Sequence, residues 1–303
     1  MKKLLIKLSL FVLLILFFLT VGLIMPSTPR TQSSFITAKR DKDSLLKAAA
    51  GKRLILVGGS NLSFGINSKL IQDSLKVNPI NTGLHAAIGI CYMLDATKQF
   101  IKRNDIIVVV PEYDQYYGDV AYGKEELLRS IFDNKNYDDL LHLRYTQWLK
   151  IIRYMPKYAL SKFKISEYRG YIHDKYYSRG SFNDFGDVYT HWQDSTQKFQ
   201  SQVIKGDMNE SVIRELRNFQ KIALEKGAKM YISFPCIDTL SYNINKSKIT
   251  KVEILIHQYF DVLGSSGAYA MPESVMFNTP YHLTKKGADI RTQKLIYDLK
   301  NIK

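Results

Sequence analysis

Leu54-Ile55-Leu56-Val57 runs directly into Gly58-Gly59-Ser60-Asn61, and the reading of this junction decides the fold. An aliphatic run closed by glycine predicts a strand buried on both faces, Arg53–Val57. The two glycines permit a sharp turn and close backbone approach. Ser60 then emerges just past the strand's carboxyl end, the edge where open α/β sheets carry their sites.

The pattern continues outward from there. Ser68–Val77 is spaced as an amphipathic helix, Asn78–Asn81 as a second strand, Thr82-Gly83-Leu84-His85 as a loop and Ala86–Lys102 as a long helix. Asp105–Val110, closed by Pro111, predicts the central strand. Later come helix Glu210–Lys226, strand Lys229–Phe234, helix Lys248–Leu263, a short strand near Val275–Phe277 and a final helix Lys285–Leu299. Strands alternating with helices predict a parallel sheet covered on both sides. Residues 114–200 break the rhythm with many tyrosines, helical stretches Lys124–Phe132 and Tyr145–Lys164, and the polar segment Ser178–Asp187. They read as an inserted cap. Gly83 and Glu112, like Ser60, each follow a predicted strand.

Upstream the chain changes character. Met1-Lys2-Lys3 and Lys7 precede an uncharged run, Leu8–Met25, that Pro26 closes. Its length is near the lower limit for a helix crossing a bilayer. A cleaved signal peptide is the competing reading, but Val21-Gly22-Leu23 makes a poor cleavage site. The expectation is an uncleaved single-pass anchor, with residues 1–7 cytoplasmic by the positive-inside bias, 8–25 in the membrane, 26–52 a stalk with a short helical piece around Ser44–Ala50, and 53–303 the body outside.

The formal net charge is +15, and the first thirty residues hold four basic side chains and no acid, which leaves +11 on the remainder. A basic body beside a membrane suits anionic headgroups or an anionic envelope polymer, although a lysine-rich solvated surface explains the same charge. No long basic block or binding motif points to nucleic acid. Cys91 and Cys236 lie in apolar contexts and read as buried free thiols, though spacing alone does not decide whether they pair. The absence of a CxxC or Cys/His cluster argues against a metal site.

Far from Ser60 in sequence, Tyr281-His282-Leu283 precedes the turn Thr284-Lys285-Lys286-Gly287 and the last helix. A serine hydroxyl is a poor nucleophile until a neighbouring base takes its proton, and His282 stands where such a base would.

With these blocks in their order, the chain resembles the SGNH/GDSL hydrolase superfamily, in particular the membrane-anchored branch that modifies cell-envelope polymers by D-alanylation or O-acetylation. The resemblance spans residues 53–300, with the cap unmatched. It implies a three-layer α/β/α flavodoxin-like sheet, with Ser60 as nucleophile and His282 as general base. It also implies an oxyanion hole from the N–H groups of Ser60 and Gly83, the latter in Asn81-Thr82-Gly83, with Asn61 as a further donor. The implied activity is that of a serine esterase or acyltransferase working on ester-linked acyl groups of an envelope polysaccharide or lipid-linked polymer. It would need no cofactor and would sit in the bacterial cytoplasmic membrane with its catalytic domain outside. Its partners would be an envelope glycan or an acyl-donor membrane protein.

The chain departs from that pattern in three places. Gly59 stands where the family has aspartate. Val110-Pro111-Glu112-Tyr113 replaces Gly-x-Asn-Asp. The acid that the family has three residues before the histidine is missing: Thr279 stands there, with Asn278 one residue further back. An asparagine carbonyl orients an imidazole but does not stabilise the imidazolium, and in trypsin the Asp→Asn change costs about 10⁴ in turnover. The alternatives are a Ser60–His282 dyad, a triad completed by Asn278, a contribution from Glu112, or a catalytically inactive protein that binds envelope polymer or a membrane partner. Three residues are candidates for substrate binding: Glu112 toward a hydroxyl, His85 as a donor, and Arg291 toward a carboxylate or phosphate.

Overall fold

Arg53–Gly58 (β1) is buried throughout and pairs in parallel with Asn78–Asn81 (β2) on one side and Ile106–Val110 (β3) on the other in the computed structural model, which describes residues 1–302. Lys229–Ser233 (β4) follows along β3. Ile237–Asp238 (β5) leaves the sheet, Val262–Leu263 (β6) rejoins it along β4, and Ala270–Met271 (β7) pairs with β5. The main sheet has the order β2-β1-β3-β4-β6, with every pairing parallel.

Helices fill the intervals. Ahead of β1 lie Lys2–Ile24 (α1), Pro29–Gln32 (α2) and Lys39–Ala48 (α3), and between β1 and β3 lie Ser60–Ser63 (α4), Ser68–Leu75 (α5) and Ile90–Lys98 (α6). Residues 114–200, the stretch read as a cap, carry Glu125–Phe132 (α7), Tyr145–Ile152 (α8) and Met155–Ser161 (α9). Ser211–Glu225 (α10), Thr239–Ile244 (α11), Lys246–Tyr259 (α12) and Lys285–Lys300 (α13) complete the chain.

The two-residue period of a strand divides the apolar residues into two cores. Leu54, Leu56, Val108 and Val110 pack with Ile71 of α5 and Leu295 and Ile296 of α13. Ile55, Val57, Ile107, Val109 and Ile232 face the larger core, with Leu94 of α6, Phe219 of α10 and Val252 of α12. Each fully buried aliphatic side chain contributes about 1.5–3 kcal/mol. β1 and β3, like most of β4, are therefore covered on both faces.

Helix α1 is long and apolar enough to cross a membrane, with a mean hydropathy of 2.9. Gly22 is its one buried residue.

The segment expected as a stalk is instead folded against the body. Phe35, Ala38 and Leu46 are buried in the larger core. Lys42 is also buried, and its Nζ donates to the carbonyls of Asn81 at 2.8 Å and Gly186 at 2.7 Å. At the far end of α3, Arg53 donates to the Leu46 carbonyl at 2.7 Å while its Nε reaches Asp105 at 2.8 Å. Lysine stems lie along apolar surface and pass as solvated polarity in the sequence, which hid this packing.

Four element boundaries also differ from expectation. The helix expected over Ala86–Lys102 is interrupted at Gly89, where φ is +90° and a Cβ would meet Gly123 N at 2.5 Å, and α6 ends at Lys98. The stretch Tyr145–Lys164 divides into α8 and α9, with Pro156 in the first turn of α9, where a missing N–H costs nothing. The helix expected to reach Leu263 stops at Tyr259, and Val262–Leu263 forms the edge strand, too short to show a period. Val275–Phe277 is not a strand: Glu273–Val275 is a 3₁₀ turn, and Met276 makes a single antiparallel bridge with Leu283. Cys91 and Cys236 are both buried and unpaired.

Candidate functional site

Ser60 opens the single turn α4 directly beyond β1, so its N–H has no intrahelical partner. Its hydroxyl points at Glu112, donating to Oε1 at 3.4 Å. Glu112 follows β3 and is buried. The same Oε1 accepts from the Asn61 backbone N–H at 3.0 Å and from Asn61 Nδ2 at 3.3 Å. Burial raises the Glu112 carboxyl to about 7, because the hydrogen bonds from Asn61 and Ser60 offset only part of the desolvation. The tight β1–α4 turn requires both glycines. A Cβ at Gly58 would lie 2.5 Å from the Val110 carbonyl oxygen, and one at Gly59 2.5 Å from Glu112 Oε1.

His282 immediately precedes Leu283, inside the loop that the Met276–Leu283 bridge closes and just ahead of α13. Its Nδ1 is 2.9 Å from Asn278 Oδ1. Asn278 Nδ2 donates to the Tyr177 hydroxyl at 3.1 Å, and that hydroxyl also lies 3.3 Å from His282 Nδ1; with Asn278 Oδ1 the nearer neighbour and able only to accept, the arrangement fits the tautomer protonated at Nδ1. Nε2 is left as the lone-pair nitrogen and has no hydrogen-bond partner among the described residues. The ring stacks on Phe64 with centroids 4.1 Å apart and planes at 6°. Phe64 in turn donates its N–H to the Ser60 carbonyl at 2.9 Å, so one turn of backbone links the nucleophile candidate to the platform under the imidazole. Burial, with His191 and His85 nearby, pulls the His282 pKa down to about 3. The ring is therefore neutral at physiological pH. Among the described residues, Ser60 and His282 do not hydrogen-bond to each other.

The sites expected to form an oxyanion hole are brought together but are not all available. Gly83 lies against α4, where a Cβ would meet Leu62 Cβ at 2.8 Å and the Gly59 carbonyl oxygen at 2.9 Å. Its N–H, however, already donates to Asn81 Oδ1 at 3.0 Å. Asn61 is fully buried. Its side-chain amide is committed to Glu112 and the Val110 carbonyl, and its N–H to Glu112. Of these donors, only the Ser60 N–H remains without a partner among the described residues.

The residues expected to bind substrate are mostly used internally. Arg291 is buried in α13; one guanidinium nitrogen donates to the Asn61 carbonyl and the other to Asn61 Oδ1 at 3.0 Å. It locks α13 to α4 and does not face a ligand. Glu112 likewise spends Oε1 on Asn61 and Ser60. His85 is exposed, and its Nδ1 accepts from Ala87 N–H at 3.2 Å, capping its own turn.

Several contributors escaped the sequence reading. Tyr177, Asp187 and His191 all come from the cap. Asp187 accepts from Ser68 Oγ at 2.7 Å and Asn81 Nδ2 at 2.8 Å, which joins the cap to the end of β2. His191 Nε2 lies 2.9 Å from the carbonyl oxygen of Leu283, the residue after His282. None of these carries a spacing signal. Phe64 does, standing four residues after Ser60 on one helical face. Two clefts of about 620 and 660 Å³ open elsewhere, the first lined by Tyr231 and Leu263, the second by Tyr92 and Arg144, and neither reaches this edge.

No family model matches the chain, and no curated protein matches it either.

Proposed function

We propose that the chain is a membrane-anchored serine esterase or acyltransferase of the SGNH type, acting on ester-linked acyl groups of an envelope polysaccharide or lipid-linked polymer. The observation that carries this reading is the Asn278–His282 contact. It holds the proton on Nδ1 and leaves Nε2 as an acceptor, on the same sheet edge as Ser60 and stacked over the turn that Ser60 begins. The sheet order β2-β1-β3-β4-β6 supports a flavodoxin-like arrangement, since strands in that order put their site beyond the carboxyl ends near β1 and β3.

In the proposed reaction Ser60 turns about χ1 from Glu112 toward His282. Oγ attacks the acyl carbonyl, Nε2 takes the hydroxyl proton, and the Ser60 N–H faces the developing oxyanion. Nε2 then returns the proton to the departing alcohol, leaving an acyl-serine. Water completes hydrolysis, whereas a sugar hydroxyl completes transfer. Glu112, whose carboxyl burial raises to about 7, is the resting partner of the hydroxyl before Ser60 turns to Nε2. The anchor α1 would cross the bacterial cytoplasmic membrane, with the body on the outer side and a glycan or an acyl-donor membrane protein as partner.

A second reading, a catalytically inactive protein of the same fold that binds polymer or a membrane partner, is favoured by one observation: the Ser60 hydroxyl is engaged by Glu112 while Gly83 N–H is occupied by Asn81. A fluorophosphonate probe applied to the full-length protein in detergent separates the two. Labelling lost in both Ser60→Ala and His282→Ala supports the enzyme. A folded wild type that takes no label supports the binding protein.

A further inference from the structure

Helix α1 and the cap meet at a defined level. A Cβ at Gly22 would lie 2.4 Å from the Ala159 carbonyl oxygen, so the backbones of α1 and α9 are in direct contact. Four residues earlier, the Phe18 ring meets Phe163 edge-on with centroids 5.7 Å apart. Both anchor residues belong to the uncharged run Leu8–Met25. At about 1.5 Å per residue that run is about 27 Å long, no more than the roughly 30 Å of a bilayer's hydrocarbon core. A spanning α1 therefore has no length to spare. Gly22 and Phe18 fall about 5 and about 10 Å inside the end of the run, and the α9 backbone goes with them.

The surface of the cap at that level has matching chemistry. Ile152, Leu160, Phe163 and Ile165 are exposed, Ile165 by 79%. Leu149 and Ile152 share one face of α8 by their i, i+3 spacing and are both exposed. Between Leu140 and His173 the chain has seven lysines and arginines and one acid, Glu167. That carboxylate is held by Thr28 at 3.0 Å and Arg30 at 3.4 Å. Arg153, Lys164 and Arg169 are exposed and form no ion pair among the described residues. Large apolar side chains interleaved with free cations are what an element lying in the headgroup boundary of an anionic bilayer presents.

We propose that the α8–α9 face of the cap, continued to Ile165, lies in the interfacial layer of an anionic phospholipid bilayer as a second membrane contact beside α1. This rests on the reading of α1 as a spanning helix and is independent of the chemistry at Ser60. A single helix leaves the unit of α1 and body free to tilt in the bilayer, whereas a second contact fixes which side of the body faces the lipid.

The test uses the full chain in phosphatidylcholine vesicles containing one-quarter phosphatidylglycerol. Cys91 and Cys236 are buried, so introduced cysteines take an environment-sensitive fluorophore selectively. Ile152→Cys and Ile165→Cys report the proposed face, Leu13→Cys reports α1, and Tyr297→Cys reports α13 across the sheet. Lipids carrying a quencher in the acyl chain are expected to dim the labels at 152, 165 and 13 by about twofold or more and to leave 297 unchanged. Quenching at 152 and 165 should weaken in phosphatidylcholine alone, and equal quenching in the two compositions would reject the anionic requirement. If position 13 is quenched while 152 and 165 behave like 297, the interfacial contact is wrong and the anchor stands. If position 13 is not quenched, the anchor is wrong and the proposal falls with it.

Discussion

The carboxylate of Glu112 occupies the space that any side chain at position 59 would need: a Cβ on Gly59 would lie 2.5 Å from Oε1. Glycine at 59 and glutamate at 112 are thus one structural choice made at two positions. Gly59→Asp is expected to overpack the turn and set two carboxylates against each other, costing about 1–3 kcal/mol for the overpacking alone. Gly59→Asp combined with Glu112→Ala is expected to recover much of that loss. Thermal melts of the two single variants and the double variant measure the coupling, and strictly additive effects would count against it.

Asn278→Asp places a carboxylate 2.9 Å from His282 Nδ1 where an amide now stands. The imidazolium gains a counter-charge, so the His282 pKa rises from its present position near 3. If Ser60 and His282 act together, probe labelling at pH 7 should speed up by about tenfold or more, one pKa unit being about 1.4 kcal/mol. An unchanged or slower rate would argue that His282 is not the base.

The Glu112 carboxyl, raised to about 7 by burial, binds its proton more tightly in the folded chain than in the unfolded one. Below the ordinary glutamate range both states are protonated and nothing is lost. As pH rises through 7 the folded state must ionise a buried group, so this stability contribution falls by about 3 kcal/mol. His282 and Lys42, both held below their usual values by burial, pull in the opposite direction. The readout is therefore the difference between wild type and Glu112→Gln. The variant's relative melting temperature should improve between pH 5 and pH 8, and a constant difference across that range would refute the assignment.

Arg291→Lys keeps the charge but loses the two-pronged hold on Asn61. With a buried charged hydrogen bond at stake, destabilisation of about 1.5–3 kcal/mol is expected. Because the guanidinium does not face a ligand, the dependence of labelling on the anionic character of the probe should stay as in wild type. A selective loss for anionic probes with unchanged stability would put Arg291 back in substrate binding.

How much was legible follows from the range of each signal. The β1–Ser60 junction, β3 and α13 are written in contiguous residues, and each formed where its pattern stands. The proximity of Asn278 to His282 is local as well. The commitment of Asn61 and Arg291 is not, because only the tertiary fold brings Glu112 and Arg291 to Asn61. Gly83 is satisfied by Asn81 two residues back, but the distant Asp187 orients that amide. Tyr177 reaches Asn278 across 101 positions. Residues 26–52 misled by composition, since Lys42 buries its amine on two carbonyls and its stem on apolar neighbours.

The packing of α3 also sets a dimension. Once residues 35–48 are folded against the core, the chain between α1 and β1 has no slack to pay out: Ser27 and Thr28 fasten its start to the body, Lys42 its middle and Arg53 its end. On the proposed anchoring, Ser60 is carried at one altitude above the lipid, like a tool on a fixed post. On the proposed function, such a protein would select its substrate partly by where that substrate is presented, and a polymer unit beyond that plane would have to be brought down to it.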